Sequence, residues 1–365
     1  MSKAREVAKL GEVMTNSQIG GRRNVVINGA MQCSQRSISA SSITATGYYA
    51  LDRFKLLYTD AGTWTMSQSS TSPNGFANSL KLDCTTAKSS LASNSRLFIM
   101  TSIEGQDVQQ FKKGTSDAEQ YTLSFHVRSN KTGTYQVNIE DNDNIRIVGA
   151  TYTISSADTW EKKEITFVAD TTGAFADDTG DSLAIMWALV AGTDNSSGAV
   201  PTTWEAKVNT DRGAGLNINL ADSTDNEWYI TGVQLEVGSV ATPFEHRSYG
   251  DELYLCQRYF EVSGTGSDNP GGWHFKNMST ETCHSNAFVP GQQYKVEKRS
   301  NATVVLYSRN GTSGKVSSFN TGSDEANSHA TNVAGKVGFH AVQRDTGTYT
   351  TGQGYEYGYT AEAEL

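Results

Sequence analysis

The stretch from Trp228 to Tyr259 constrains this chain more than any other. Trp228 and Ile230 share one phase of a two-residue alternation, Val233, Leu235 and Val237 share the other, and Gly232 stands at the slip. A strand whose apolar side faces one core changes phase only by adding a residue, and a glycine at that point marks a β-bulge. Gly238 and Pro243 then break the strand, and residues 251–259 read as a short helix. The expectation is the last strand of one β body, a fixed exit, and a helical joint into a second. Gly232, Asp251, Leu253 and Arg258 mark that joint.

The remaining segments fit this division. Residues 24–119 read as short strands: apolar Val25–Ile27 before the turn Asn28-Gly29, then Phe54/Leu56/Tyr58, Trp64/Met66 and Leu80/Leu82/Cys84. Leu97–Met100 and Leu183–Val190 are apolar on both faces, as central strands are. Tyr121, Leu123, Phe125 and Val127 alternate with polar residues, and so do Tyr135, Val137 and Ile139 against Gln136, Asn138 and Glu140. Ile145/Ile147, Ile165/Phe167/Ala169 and Leu216/Ile218/Leu220 continue the pattern. In the second body, Thr303–Tyr307, Val337/Phe339/Ala341 and the alternating end from Tyr355 to Leu365 read as strands. The fold class is therefore all-β. An antiparallel jelly-roll β-sandwich over 31–248 precedes a joint at 249–260 and a smaller distal β-sandwich at 261–365. Residues 1–30 form an arm with a short helix, in which Ala4, Val7, Ala8 and Leu10 share a face.

Composition narrows the function. A net charge of −9 leaves no electrostatic footprint for nucleic acid, and no run approaches the ~20 apolar residues of a membrane helix. The start, Met1-Ser-Lys-Ala-Arg-Glu-Val, lacks the apolar core of a secretory leader. Cys33, Cys84, Cys256 and Cys283 are widely spaced and read as isolated thiols.

Catalytic patterns are weak. Paired acids occur in 140–143, in Asp177, Asp178 and Asp181, and in Glu104 with Asp107, all in turn-rich stretches where carboxylates are commonly just solvated. Asp177, Asp178 and Asp181 could offer oxygens to Ca²⁺ but lack EF-hand spacing. There is no GxSxG and no phosphate-binding glycine loop. The expectation is no enzyme and no cofactor. Surface recognition remains: Trp273, His274 and Phe275 follow a Gly-rich loop, Tyr307 and Arg309 flank a turn, and exposed rings stack on sugars while polar groups bond their hydroxyls.

Several of these segments resemble bacteriophage tail-fibre proteins. They are Arg23-Asn-Val-Val-Ile-Asn-Gly-Ala-Met-Gln32 with Gln35-Arg36 and Ala50-Leu-Asp-Arg-Phe54, then Thr159–Phe167, Trp228–Glu245, Gly250–Tyr259 and Tyr359–Leu365. Two of them also look like the jelly roll that such fibres share with carbohydrate-binding modules. The resemblance implies a homotrimer in the virion, assembled in the host cytoplasm. Its N-terminal part would dock on another virion protein such as a tail adaptor or tail tube, and its C-terminal part would meet host surface polysaccharide. Carried onto this chain, the attachment positions are Arg22, Arg23, Asn24 and Asn28. No heptad is sustained, so the expected object is a short fibre. A decoration fibre without receptor binding and a polysaccharide-degrading tailspike are the alternatives.

Overall fold

A computed structural model describes residues 23–263, 274–277, 283–284, 287–288, 292–344 and 354–365, with main chain alone at 274–277, 283–284, 287–288, 332–333 and 344. The arm at 1–22 and Trp273 lie outside the described residues. The chain divides between Tyr249 and Gly250 into two compact units, with Leu365 counted in the first.

The first unit contains β1 (Ser39–Ile43), β2 (Gly47–Tyr48), β3 (Lys55–Thr59), β4 (Thr63–Ser69), β5 (Ser79–Thr86), β6 (Arg96–Glu104) and β7 (Tyr121–Ser129). It continues with β8 (Gly133–Asp141), β9 (Arg146–Ile154), β10 (Glu161–Phe167), β11 (Asp181–Ala191), a single helical turn α1 (Thr193–Ser196), β12 (Glu205–Ala206) and β13 (Glu227–Val237). These make two antiparallel sheets, β1-β4-β5-β13-β7-β10 and β12-β9-β8-β11-β6-β3-β2. Trp64, Leu82, Phe125 and Trp228 from one sheet meet Leu97, Tyr135, Ile185 and Trp187 from the other in a single buried core. Each such large side chain contributes about 1.5–3 kcal/mol by leaving water. The two doubly apolar segments, β6 and β11, lie side by side in mid-sheet.

The bulge falls where the alternation placed it. Trp228 and Ile230 register with Leu82 and Leu80 on β5, Leu235 and Val237 register with Leu123 and Tyr121 on β7, and the register shifts between Thr231 and Gln234. Gly232 sits at φ 63°, a conformation that favours glycine. All five apolar residues thereby reach the same core. The bulge also changes the strand's other partner. β13 pairs with β5 only through Ile230, after which Val233 N donates to Gly29 O and Val25 N donates to Leu235 O. A Cβ on Gly29 would lie 2.2 Å from Val233 O, so only glycine permits this approach.

The entry segment is held from both ends. Asn24 Oδ1 accepts from Val26 N and Leu235 N, and its Nδ2 donates to Val233 O at 3.0 Å. Asn28 Nδ2 donates to Cys33 O and Asp52 O at 2.8 and 2.9 Å, and its Oδ1 accepts from Cys33 N at 2.9 Å. Asn28→Ala removes these three buried hydrogen bonds and should cost about 2–4 kcal/mol, read as a lower unfolding midpoint. An unchanged midpoint would contradict the pinning.

Several local expectations fail, among them Ile145, which precedes β9 at φ 52° and is exposed. Val25–Ile27 is not a strand: it runs singly beside β13 into the turn at Asn28. Leu216–Leu220 forms no strand either, because Asn217 bonds Thr134 through both side chain and main chain, an alternative to a ladder. Gln136, Asn138 and Glu140, which alternation points to solvent, are buried at 1% exposure or less. The segment after α1 covers them: Gln136 Nε2 donates to Asp211 O, Asn138 Nδ2 to Arg212 O, and the Arg212 guanidinium holds Glu140 with bonds of 2.7 and 2.6 Å.

The second unit opens on α2 (Tyr249–Gln257) and β14 (Phe260–Val262). Then follow β15 (His274–Asn277), β16 (Cys283–His284), β17 (Ala287–Phe288), β18 (Gln292–Gln293), β19 (Thr303–Tyr307), β20 (Ser317–Ser318), β21 (His329–Ala334), β22 (Gly338–Arg344) and β23 (Gly354–Glu362). β23 pairs with β14, β15, β19 and β20, and β22 organises the other small sheet. Tyr355, Tyr357 and Tyr359 put the terminal alternation into a core with Leu306, Val316 and Phe339. Val337 stands outside β22 and is exposed. Beneath the core, Lys298 and Glu261 form a fully buried ion pair at 2.6 Å, and the Tyr359 hydroxyl donates to Glu261 at 2.9 Å. Cys33, Cys84 and Cys256 are buried.

Candidate functional site

Residues 229 and 231 of β13 point away from the core, because 228 and 230 point into it. In register, Lys81 on β5 and Arg128 on β7 flank Tyr229. The Lys81 ammonium lies 5.6 Å and the Arg128 guanidinium 4.9 Å from the ring centroid. Both cations are held by carboxylates. Lys81 Nζ lies 2.8 Å from Glu227 and 3.2 Å from Asp83, and Arg128 lies 3.1 Å from Glu227 and 2.9 Å from Asp158. Burial pushes the Glu227 carboxyl up, but Lys81, Tyr229 and Arg128 together hold it below its ordinary range.

Rings bound this ion-paired strip. Half-buried Trp160, just before β10, meets Tyr229 edge-on at 6.1 Å. Beside the bulge, Phe76 contacts His126 at 5.2 Å, Phe244 at 5.0 Å and His246 at 5.2 Å. Phe76 is placed by a tight loop in which Ser72 Oγ donates to its carbonyl at 2.6 Å and its N–H donates to Pro73 O. A Cβ on Gly232 would come 2.7 Å from Phe76 Cζ and 3.0 Å from His126 Nδ1, so the bulge also makes room for these rings. Among the described residues, His126 Nδ1, Thr231 Oγ1 and Trp160 Nε1 are buried polar atoms without a hydrogen-bond partner. Burial, reinforced by Lys162, pushes the His126 imidazole below its ordinary value. The face thus joins stacking surfaces to uncharged polar groups and carboxylate acceptors.

Of the receptor-contact positions singled out from sequence, His274, Phe275, Tyr307 and Arg309 all lie along residues 356–358 of β23. His274 and Phe275 pair through their main chain with Tyr357 and Glu356 on β23, and Trp273 lies outside the described residues. Tyr307 is half-buried and registers with Gly358. Arg309 is exposed, 3.6 Å from Glu356. Arg22 lies outside the described residues, Arg23 Nη1 donates to Thr242 Oγ1 at 3.0 Å, and Asn24 and Asn28 are buried in the body. Asp251 and Leu253 stand on α2, with Arg258 just after it. Among the described residues no group of three His, Cys, Asp or Glu side chains could hold a metal, and that includes Asp177, Asp178 and Asp181. Burial raises Asp181, whose carboxylate accepts from Ser102 at 3.2 Å.

One cavity of about 370 Å³ is lined by Val108, Gln109, Lys112, Thr115, Asp117 and Phe175. Lys113, also on its wall, has a side chain at 0% exposure. Its ammonium meets Asp141 at 2.5 Å, Asp170 at 3.1 Å, and the carbonyls of Thr172 and Gly173 at 2.8 and 2.7 Å. Of the acids at 140–143, Glu140 and Asp141 are therefore committed to ion pairs with Arg212 and Lys113, and Asp143 accepts from Ala176 N at 2.9 Å.

Burial pushes the Asp170 and Asp222 carboxyls up, but their bonds, to Arg146 and Lys131 respectively among others, leave both below the ordinary value, as with Glu227. A carboxyl lowered by folding stabilises fully above its unfolded pKa and loses that contribution as pH falls through its folded value. The melting temperature should therefore hold near neutrality and drop below about pH 4. A midpoint that rises on acidification would contradict these pairings.

No family profile and no curated protein matches this chain. Solved structures resemble it weakly. The enzymatically active domain of tailspike protein 4 from bacteriophage CBA120 is 14% identical, covering 59% of this chain and 21% of that one, with a TM-score of 0.30. The CBM22-1–GH10 modules of a Clostridium thermocellum endo-1,4-beta-D-xylanase, complexed with xylohexaose, are 13% identical over 61% of this chain and 30% of that one, with a TM-score of 0.30. The family 11 carbohydrate-binding module from Clostridium thermocellum is 9% identical over 56% of this chain and 98% of that one, with a TM-score of 0.28. The chain spans less than a third of the length of the first two.

Proposed function

We propose that this chain is a bacteriophage virion fibre protein, assembled as a homotrimer, that attaches to host surface glycan without a catalytic step. The observation that carries the glycan reading is the outer face of β13, where Trp160 and Phe76 bound a strip of hydrogen-bonding groups. Sugar rings stack their C–H faces on aromatic rings, and their hydroxyls need carboxylate and amide partners. The fibre reading rests on the resemblance of the segments at 23–54, 159–167, 228–259 and 359–365. Residues 1–22 would then dock on the virion, α2 would act as the joint between the units, and the β13 face of the first unit would carry the contact with host glycan. Three linked copies turn weak single contacts into firm attachment.

Trp160→Ala should weaken polysaccharide binding several-fold, up to about tenfold, the scale of losing one good stacking contact, with the melting temperature unchanged. Retained affinity would contradict the assignment. Antibody labelling of particles should place the chain on a fibre, and solution mass should give three copies. A stable monomer at micromolar concentration would sink the trimer. Release of reducing ends from bound polysaccharide would favour the tailspike alternative instead.

A further inference from the structure

Resting on that reading of the β13 face, we infer that its ligand is an uncharged, hydroxyl-rich glycan and that the face discriminates against glycans bearing carboxylate or sulfate groups.

The argument is one of charge accounting on named groups. A protein recognises an anionic sugar with Arg or Lys donors free to turn to it, because the anion's lost hydration must be matched by charge-assisted bonds. On this face both central cations are committed. Lys81 bridges Glu227 and Asp83, and Arg128 bridges Glu227 and Asp158 while its Nε donates to the Asp158 carbonyl at 2.9 Å. Two cations therefore stand against three carboxylates. Lys162, beside His126 across the β10–β7 ladder, is paired with Glu164 at 2.7 Å. Lys81 and Arg128 also lie over the Tyr229 ring, which further fixes their positions. An incoming anion would have to break these pairs and meet the acid left behind.

Neutral sugars meet the opposite situation. Asp83 and Asp158, with side chains 39% and 55% exposed, retain lone pairs toward solvent and accept strongly from sugar hydroxyls. The unpartnered polar atoms Thr231 Oγ1, His126 Nδ1 and Trp160 Nε1 are buried beneath this surface and add no exposed cation to it. Trp160 and Phe76 supply the apolar surfaces.

The test is titration calorimetry of the full chain at physiological ionic strength with matched probes: dextran, galactan and laminarin against dextran sulfate, polygalacturonate and hyaluronate. The expected result is binding to at least one neutral probe, with acidic probes at least tenfold weaker. Asp83→Asn/Asp158→Asn should narrow that gap by weakening neutral binding and easing entry of anions. If an acidic probe binds more tightly than the neutral ones and Trp160→Ala abolishes that binding, the discrimination is overturned while the face stands. If no probe depends on Trp160, the face itself is wrong. Equal melting temperatures keep either result from being a folding artefact.

Discussion

Lys113→Met is expected to destabilise the first unit by about 3–5 kcal/mol, the usual cost of removing one partner from a buried ion pair. Against a typical domain stability of about 5–15 kcal/mol, much of the chain would be unfolded at elevated temperature. Methionine nearly matches the volume of lysine, so the loss comes from charge. The Lys113 ammonium is the counter-ion of both Asp141 and Asp170 and caps the carbonyls of Thr172 and Gly173. Arg146 still reaches Asp170 at 2.8 Å, but Asp141, at 0% exposure, keeps only the Asn144 amides. Adding Asp141→Asn and Asp170→Asn should recover part of the stability, because the stranded charges go with them. Calorimetric melting decides this. If the triple variant melts no higher than Lys113→Met, the cost is one of packing and the charge account is wrong.

Deleting Gly232 should be worse. Without the extra residue, Val233, Leu235 and Val237 would turn outward and Gln234 and Glu236 would turn into the core. Three large apolar side chains would each forfeit about 1.5–3 kcal/mol. Gln234 and Glu236 would also lose Thr242 and Glu245, their partners on the exit segment. The expected outcome is insoluble protein. Gly232→Ala keeps the count and tests backbone and space alone. The left-handed φ costs about 1–2 kcal/mol for an alanine, and the new methyl displaces Phe76. Soluble, cooperatively melting protein from the deletion would show that the phase slip does not set the fold.

The strands that carry the core were legible because their signal is local. Alternation at 121–128 and 355–361, and apolar runs at 97–100 and 183–190, needed no distant partner to be read. The bulge was legible for the same reason, since phase on each side of Gly232 is a property of a few neighbours. Its consequence was not, because the switch from β5 to the segment at 25–29 joins residues about two hundred apart in sequence. The same holds for the burial of Gln136 and Glu140, whose cover arrives with Asp211 and Arg212.

The candidate face was legible only in fragments. Tyr229 sat on the polar phase of a strand where alternation predicts solvent, and Trp160 followed the polar turn at 155–159. An aromatic in each of those places was the available signal. Lys81 and Arg128 could not be joined to them without strand order, which sets β5, β13 and β7 side by side. Trp273 and its neighbours are more conspicuous in one dimension, because aromatics beside a glycine-rich loop need no strand order to be read. Asn24 and Asn28 likewise look like attachment residues in sequence and are internal pins in the structure.

The central claim is that the outer face of β13 binds glycan, and a polysaccharide array probed with the full chain and with Trp160→Ala/Phe76→Ala tests it most directly. The account predicts that the unaltered chain is retained on at least one polysaccharide and that the double variant, melting at the same temperature, is not. Retention of the double variant at the unaltered level would contradict it.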